Sequence, residues 1–230
     1  MIHPLPRHLG IIMDGNGRWA TGQNLPRNRG HREGLEAAKN LTRAAARLNI
    51  PYLSLYTFST ENWKRAEEEV GFLMNLIIHN LKREFKFYQE NNIRILHSGD
   101  KTGLPLKVQK EIAKAMEMTK KNSGLILNLA INYGGRDEIV RAVNRILARK
   151  EQKEITEDDI TRNLDLPEFP PPDLIIRTAG EQRLSNFLLW ESSYAELYFT
   201  RKLFPDFQED DLIEALEEFA SRTRKYGGIV

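Results

Sequence analysis

Six short apolar runs, each separated from the next by helical periodicity or a polar turn, constrain the fold of this chain more than any other feature. They are His8 to Met13, Tyr52 to Phe58, Ile93 to Leu96, Leu125 to Ile131, Leu174 to Ile176 and Ala195 to Phe199. They lack a polar alternate face, as strands of a sheet covered on both sides do, and such sheets are parallel. Between them, Gly34 to Leu48, Glu67 to Tyr88, Leu106 to Thr119, Arg136 to Ala148 and Asp210 to Tyr226 carry apolar residues at three- and four-residue spacing. That spacing gives a helix one buried face. The alternation predicts an α/β fold with a mostly parallel six-stranded sheet surrounded by helices. At 230 residues the chain is near the upper end of what one core supports, so a single domain over residues 1–230 is expected.

Composition narrows the function by exclusion. Lysine and arginine number 34 against 32 aspartate and glutamate, a formal charge of +2. A protein built to neutralise nucleic-acid phosphates carries a larger excess, so no nucleic-acid partner is expected. The absence of cysteine excludes a disulfide scaffold, a thiolate metal site and a catalytic thiol, and is compatible with a reducing compartment. The opening Met1-Ile2-His3-Pro4-Leu5-Pro6-Arg7 has no apolar segment before a cleavage site, and no later apolar run approaches eighteen residues. Neither secretion nor a membrane span is expected.

In open parallel sheets, ligands lie beyond the carboxyl ends of the strands. Those ends are strongly polar here: Asp14-Gly15-Asn16-Gly17-Arg18-Trp19, Ser59-Thr60-Glu61-Asn62-Trp63-Lys64-Arg65, Asn132-Tyr133-Gly134-Gly135-Arg136 and Arg177-Thr178-Ala179-Gly180-Glu181-Gln182-Arg183. Parallel strands would bring all four segments to one rim. Gly15-Asn16-Gly17, at a strand-to-helix junction, is either a phosphate cradle of backbone N–H groups or a plain tight turn. Arg18, Arg27, Arg29 and His31 follow closely, and guanidinium groups bind phosphate oxygens in pairs. Arg29 alone reads equally as a solvated charge, and His31 equally as a packing or capping residue.

A second cluster, Arg177 and Arg183 flanking Gly180-Glu181 and followed by Ser185-Asn186, suits a second diphosphate. Asp14 directly precedes the first cradle, where a carboxylate would repel phosphate unless a divalent cation lay between them, so Mg2+ is expected. Glu196 could supply a second carboxylate or form an ordinary strand-end ion pair. The apolar stripe Phe72, Leu73, Leu76, Ile77, Leu81, Phe85 and Tyr88 is core packing, unless helix and sheet diverge to leave a channel.

The run His8-Leu9-Gly10-Ile11-Ile12-Met13-Asp14-Gly15-Asn16-Gly17-Arg18-Trp19-Ala20 resembles the first signature of the cis-prenyltransferases. Gly30-His31-Arg32-Glu33-Gly34, Phe58 to Arg65, Asn132 to Arg136 and Ile176 to Trp190 agree with the family's later motifs, in order. The resemblance covers nearly the whole chain and is greatest to the bacterial undecaprenyl diphosphate synthases. It implies a cytoplasmic homodimer with a hydrophobic tunnel between sheet and helices, peripheral to the inner face of the membrane and in transient contact with that surface at product release.

The implied reaction is Mg2+-dependent condensation of isopentenyl diphosphate with an allylic, farnesyl-type diphosphate, setting a new cis double bond and yielding undecaprenyl diphosphate for cell-wall lipid carrier. By the same resemblance Asp14 is catalytic and binds the metal with Glu196. Gly15, Asn16, Gly17, Arg18, Trp19, Arg27 and His31 hold the allylic diphosphate; Arg177, Arg183, Leu184 and Ser185 hold the isopentenyl diphosphate. Ser59, Thr60, Glu61, Trp63 and Arg65 match a segment that closes over substrate, and Asn62 matches a residue assigned to proton removal, although a neutral amide is a poor base. Ala66 and Ala179 stand where the family often has proline and serine.

Three alternatives compete. A shorter-chain synthase differs only in what closes the tunnel, for which Leu35, Thr57, Leu76, Leu125 and Leu127 are candidates. A nicotinamide oxidoreductase would use Gly15-Asn16-Gly17-Arg18-Trp19-Ala20 as GxGxxA, yet its ribose-binding acid would fall at Glu33 or Glu36, inside predicted helix. A non-catalytic partner subunit would have lost charged ligands that are all present here.

Overall fold

The computed structural model describes residues 2–149 and 154–224. All six expected strands are there, each within two residues of its expected bounds: β1 His8–Ile12, β2 Tyr52–Ser59, β3 Arg94–Ser98, β4 Ile126–Tyr133, β5 Leu174–Arg177 and β6 Glu196–Phe199. They form one sheet in the order β3-β4-β2-β1-β5-β6. Every pairing is parallel, so the sheet is wholly rather than mostly parallel. The chain leaves β1 toward β2 on one side and returns later to lay β5 on the other. This reversal opens a crevice beyond the carboxyl ends of β1 and β5.

Eight helices surround the sheet among the described residues: α1 Asn16–Gly22, α2 Arg27–Arg47, α3 Glu67–Arg83, α4 Phe85–Glu90, α5 Leu106–Thr119, α6 Gly135–Ala148, α7 Glu157–Arg162 and α8 Glu209–Ser221. Helices α1 and α7 have no counterpart among the five expected spans, and three of those five spans differ from the structure. Helix α2 starts at Arg27, seven residues before the expected Gly34, because Pro26 caps it in extended geometry and the exposed first turn carries no apolar periodicity to read. The expected single helix Glu67 to Tyr88 breaks at Glu84, whose φ of −90° and ψ of 8° separate α3 from α4. Backbone bonds Glu84 N–H to Asn80 O and Tyr88 N–H to Glu84 O keep four-residue spacing across the break, so periodicity passes through it unchanged. Helix α8 ends at Ser221, and Tyr226 lies outside the described residues. Among those residues, no helix is long and apolar enough to cross a membrane.

The main core lies between the sheet and helices α2, α3, α5 and α8, with Leu9, Ile11, Leu53, Ile95, Leu127 and Leu216 fully or almost fully buried. Helix α2 approaches α1 so closely that a Cβ at Gly30 would stand 1.8 Å from the Asn16 carbonyl oxygen, and one at Gly34 would stand 2.2 Å from Asn16 Oδ1. The two glycines, four apart on one helix face, therefore fix where Asn16 sits. At the opposite end of the sheet, buried His8 bonds Ser54 Oγ at 2.8 Å and the Pro170 carbonyl at 2.7 Å. Burial pushes its pKa down to about 4, against the weaker upward pulls of that carbonyl and Asp173.

This packing has measurable consequences for stability. Gly34→Ala should destabilise the fold by about 1–3 kcal/mol through overpacking against Asn16. Gly71→Ala, inside α3 with nothing within 4 Å of a Cβ, should instead stabilise it by about 0.5–1 kcal/mol; urea midpoints of the two variants distinguish them. As pH falls from 6.5 toward 4, the unfolded chain protonates His8 while the folded chain does not, so that group's contribution to stability is lost with acidification. Relative to His8→Gln, the wild type should lose up to about 3 kcal/mol over that window, measured by denaturant unfolding at stepped pH.

Candidate active site

Parallel pairing places Ile12 opposite Arg177, so Asp14, two residues past the end of β1, meets the guanidinium at the end of β5. Arg177 Nη2 donates to Asp14 Oδ2 at 2.9 Å and Nη1 to Ser185 Oγ at 2.6 Å and to the Arg183 carbonyl. Arg177 is only 4% exposed, and its Nε is buried without a protein partner. Thr178 locks the junction: its hydroxyl accepts from Asp14 N–H at 3.0 Å and donates to the Asp14 carbonyl at 2.7 Å. Gly15 follows with φ of 104°, and a Cβ there would stand 2.9 Å from both Ala179 and Leu203 side chains. Only glycine makes this turn without strain.

Beyond the turn, the amides of Asn16, Gly17 and Arg18 precede the first intrahelical bond of α1, Trp19 N–H to Gly15 O. Such amides have no partner within the helix. Arg18 approaches the other Asp14 oxygen at 3.6 Å and is half exposed. Asn16 Oδ1 is buried and unpartnered. On α2, His31 Nε2 lies 3.3 Å from Glu69 Oε1, and the same carboxylate faces Arg65 at 2.9 Å and Arg27 at 3.7 Å. Burial opposes the charge on Glu69, but Arg65, Arg27 and His31 outweigh it and lower its pKa. Burial lowers the His31 pKa, and Glu69 only partly restores it, leaving a neutral ring near pH 7.

A cleft beside these groups is lined by Asp14, Asn16, His31, Asn62, Arg177 and Ser185, with Tyr56, Ser59, Glu61, Arg65 and Asn186 on its walls. It leads directly into an apolar cavity of about 110 Å3 between the sheet, α2 and α3. Met13, Asn16, His31, Thr57 and Leu73 line both spaces. Of the residues considered for closing a tunnel, Leu35, Thr57, Leu76 and Leu127 line this cavity, whereas buried Leu125 does not.

Several expected residues stand farther out. Arg27 and Arg183 are exposed, the latter paired with Glu181. The Trp19 indole donates to Asp206 at 2.7 Å, and that of Trp63 to Asn132 Oδ1 at 2.7 Å. Thr60 opens the short helical turn Thr60–Lys64, and Leu184 packs on the small core of Ile12, Tyr133 and Phe187. Asn62 Oδ1 accepts from Ser59 N–H at 3.1 Å, which ties the start of that turn together. Glu196 begins β6 opposite Leu174, three residues or about 10 Å short of the rim, and binds Arg222 at 2.8 Å. Within one chain it is not brought to Asp14, and no group of three or more potential metal-ligating side chains occurs among the described residues.

Sequence reasoning misses Glu69 altogether and leaves the positioning roles of Thr178 and Asn186 unread. Glu69 carries no periodic or motif signal that separates it from its neighbours, and Thr178 is one unremarkable position within a motif. Asn186 is visible only as part of a motif; its carbonyl accepts from Gly135 N–H at 2.7 Å, and its side chain accepts from Arg136 N–H and donates to Glu61. It thereby joins two of the four polar segments to the loop after β5. The loop it belongs to holds Ala179, Gly180, Ser185, Asn186 and Leu188 at positive φ, a density of unusual backbone found at ligand clamps.

Comparison with known proteins agrees with this geometry. Residues 12–227 match the prenyltransferase family model described as "Putative undecaprenyl diphosphate synthase". An isoprenyl transferase of Treponema denticola is 53% identical over 96% of this chain and 97% of its own. A ditrans,polycis-undecaprenyl-diphosphate synthase of Vibrio vulnificus, specific for (2E,6E)-farnesyl diphosphate, is 46% identical over 97% of this chain and 91% of its own. Among solved structures, lavandulyl diphosphate synthase from Lavandula x intermedia, in complex with dimethylallyl diphosphate, superposes with a TM-score of 0.93 at 38% identity, covering 97% of this chain and 99% of that one. A probable undecaprenyl diphosphate synthase from Campylobacter jejuni gives 0.83, also at 38% identity and with the same coverage. With a cleft walled by arginines that opens into an apolar cavity, on a sheet of this order and with these relatives, the chain belongs to the undecaprenyl diphosphate synthase family of cis-prenyltransferases.

Proposed function

We propose that this protein condenses isopentenyl diphosphate with farnesyl diphosphate, repeatedly, to give undecaprenyl diphosphate. The observation that carries this reading is the continuity of a charged cleft with an apolar cavity through Met13, Asn16, His31, Thr57 and Leu73. Such a space suits a molecule with a diphosphate head and a hydrocarbon tail. The allylic head lies against the amides of Asn16 and Gly17, with Arg18, Arg27 and His31 as further donors. The isopentenyl head lies against Arg177, whose unpartnered Nε is one donor still available, with Ser185 and Arg183.

Asp14 is the carboxylate we assign to Mg2+. A lone carboxylate suffices, since this ion completes its shell with phosphate oxygens and water; Glu196 could join it only from outside this arrangement. When bound, the ion offsets charge developing on the departing diphosphate. The terminal alkene carbon of isopentenyl diphosphate bonds to the allylic C1 as the C1–O bond breaks, and the diphosphate leaves with the electron pair. Loss of a proton from C2 of the isopentenyl unit then sets the new double bond. Asn62 is engaged with Ser59 N–H, and a neutral amide is a poor base, so we assign proton acceptance to the diphosphate and positioning of the closing segment to Asn62. Glu61, anchored by Asn186, and Arg65 complete that segment.

The cavity, about 110 Å3, is smaller than the roughly 150 Å3 that admits one benzene. A lengthening tail must therefore move α3 away from the sheet. The reading includes a homodimer, which would cover Val140 and Leu147 of α6, each 58% exposed. It also includes a cytoplasmic location with brief contact of the membrane surface when the apolar product departs.

The test is turnover of radiolabelled isopentenyl diphosphate with farnesyl diphosphate and Mg2+, with the dephosphorylated products separated by reversed-phase chromatography. Wild type should give a product that elutes with authentic undecaprenol. Asp14→Ala should lose about 10^3-fold in turnover, the equivalent of roughly 4 kcal/mol of leaving-group stabilisation. It should still bind isopentenyl diphosphate, because Arg177 is then freed from its carboxylate. Wild-type-like turnover by that variant would remove Asp14 from the chemistry.

A further inference from the structure

Asn132 is an extra residue in β4. Phe58 pairs with Ile131 and the next residue, Ser59, pairs with Tyr133, so Asn132 has no counterpart on β2. Bulges of this kind re-aim a side chain where a regular ladder gives way. Asn132 is 5% exposed and has a φ of 52°, a left-handed value that asparagine tolerates better than most side chains. Its amide meets two partners from different parts of the fold: Oδ1 accepts from the Trp63 indole at 2.7 Å, and Nδ2 donates to the Asp100 carbonyl at 2.8 Å. An indole N–H only donates and a carbonyl only accepts, so these partners fix which end of the amide faces which. Asp100 N–H in turn donates to the Asn132 carbonyl at 3.1 Å, which fastens the residue twice to the loop after β3.

The indole belongs to the short helical turn Thr60–Lys64, none of whose residues is buried. Burial alone does not hold this turn, so its place depends on polar contacts. Ser59, Glu61, Asn62 and Arg65 line the cleft, whereas Trp63 does not. The Trp63 ring stands edge-on to Phe58 at 5.1 Å, and its N–H is given to Asn132. Glu61 accepts from Asn186, in the loop after β5, at 2.8 Å. The turn is thus tied to the end of β4 by Trp63 and to the loop after β5 by Glu61.

We infer that Asn132 is a positioning residue, holding the Thr60–Lys64 turn through the Trp63 indole so that Glu61, Asn62 and Arg65 face the cleft, an inference that rests on the condensation proposed above. Trp63, expected from the sequence among the substrate-binding residues, then acts through Asn132 rather than by touching substrate. Without the bond the turn can pivot about Glu61. The allylic head group keeps its donors at Asn16, Gly17, Arg18 and His31 and binds as before. Alignment of the isopentenyl unit with the allylic C1 suffers instead, because reacting atoms must be held in attack geometry.

Turnover of farnesyl and isopentenyl diphosphates with Mg2+, measured beside the binding of farnesyl diphosphate alone, tests this. Asn132→Gly suits the left-handed backbone and removes the amide. Its kcat should fall about three- to tenfold, the range one hydrogen bond supports, while its Kd for farnesyl diphosphate stays within about twofold of wild type. Trp63→Phe removes the indole N–H and should lose as much. The double variant should lose no more than either single one, since both delete the same bond. Asn132→Asp keeps an acceptor for Trp63 but loses the donor to Asp100; its kcat should stay within about twofold of wild type, even where urea unfolding shows it less stable. Wild-type kcat in Asn132→Gly, losses that multiply in the double variant, or an Asn132→Asp as slow as Asn132→Gly would each overturn the inference while leaving the proposed reaction intact. If Asn132→Gly does not fold, Trp63→Phe carries the test: it should be slowed as stated, and adding Asn132→Asp should slow it no further.

Fluorescence reads the tether without turnover. Acrylamide quenching, with each protein paired to its Trp63→Phe counterpart to subtract Trp19 and Trp190, should show Trp63 more accessible in Asn132→Gly and unchanged in Asn132→Asp. Equal accessibility in wild type and Asn132→Gly would overturn the tether. Absence of any condensation by the wild type would instead sink the reaction, and with it the part assigned to Asn132.

Discussion

A guanidinium buried at the end of β5 is the constraint around which this molecule is arranged. An ion as secluded as Arg177 is tolerated only when its donors are met, and its partners come from separate stretches of chain: the Asp14 carboxylate after β1, the Ser185 hydroxyl and the Arg183 carbonyl. The parallel register of β1 with β5 makes the meeting possible, and the Thr178 hydroxyl keeps Asp14 in place for it. The same requirement explains why the loop after β5 adopts so much left-handed backbone. It must fold back over Arg177 to present Ser185, and it leaves the buried Nε of Arg177 without a protein partner.

The opposite side of the cleft follows different physics. There Arg27 and Arg65 are exposed and the carboxylate is sheltered: Glu69 collects these two and the largely buried His31 from α2 and the segment ahead of α3. In the absence of substrate, these groups are held near one another by a residue that need not touch the ligand. A diphosphate arriving among them competes with Glu69 for the same donors. Because Arg65 lies beside the Thr60–Lys64 turn and Glu69 on α3, that competition can be felt along the helix that also forms the cavity wall. Glu69 and the cavity-lining Leu73, Leu76 and Ile77 lie on this one helix.

The strands are readable in the sequence because both faces are buried, so six apolar runs stand out with clear ends, and parallel pairing then assembles their polar termini on one rim. Asp14, Arg177, Ser185 and His31 are legible for that reason and through the family motifs. Glu196 shows the limit: it sits in a strand next to a motif, yet its place at the start rather than the end of β6 puts it at the other edge of the sheet within this chain. Residues that act by holding others, such as Thr178 and Glu69, give no signal, because one hydroxyl or carboxylate among many is distinguished only by what the fold brings to it. The start of α2 is hidden for a related reason. Its first turn is exposed and polar, and the glycines that look unfavourable for a helix are required by the approach of Asn16.

The break at Glu84 belongs to the same class of hidden feature, and it has the largest structural effect. A continuous helix from Glu67 to Tyr88 would keep a single axis along the whole apolar stripe. The division at Glu84 separates α3 from α4, whose Phe87 and Tyr88 join Leu73, Ile77 and Leu81 of α3 in lining the cavity. A glutamate is a poor choice for a buried position unless cations neutralise it, and here Lys39 and Arg83 do so from inside and outside the wall. Burial disfavours its charge, yet those partners hold its pKa below the ordinary value, so the carboxylate is ionised when the protein is folded near neutral pH. An apolar residue would have packed there without any such support. Retaining a charged group there makes an ion-held contact between α2 and the α3–α4 break, beside both the apolar cavity and an outer polar cleft, that an apolar side chain could not make.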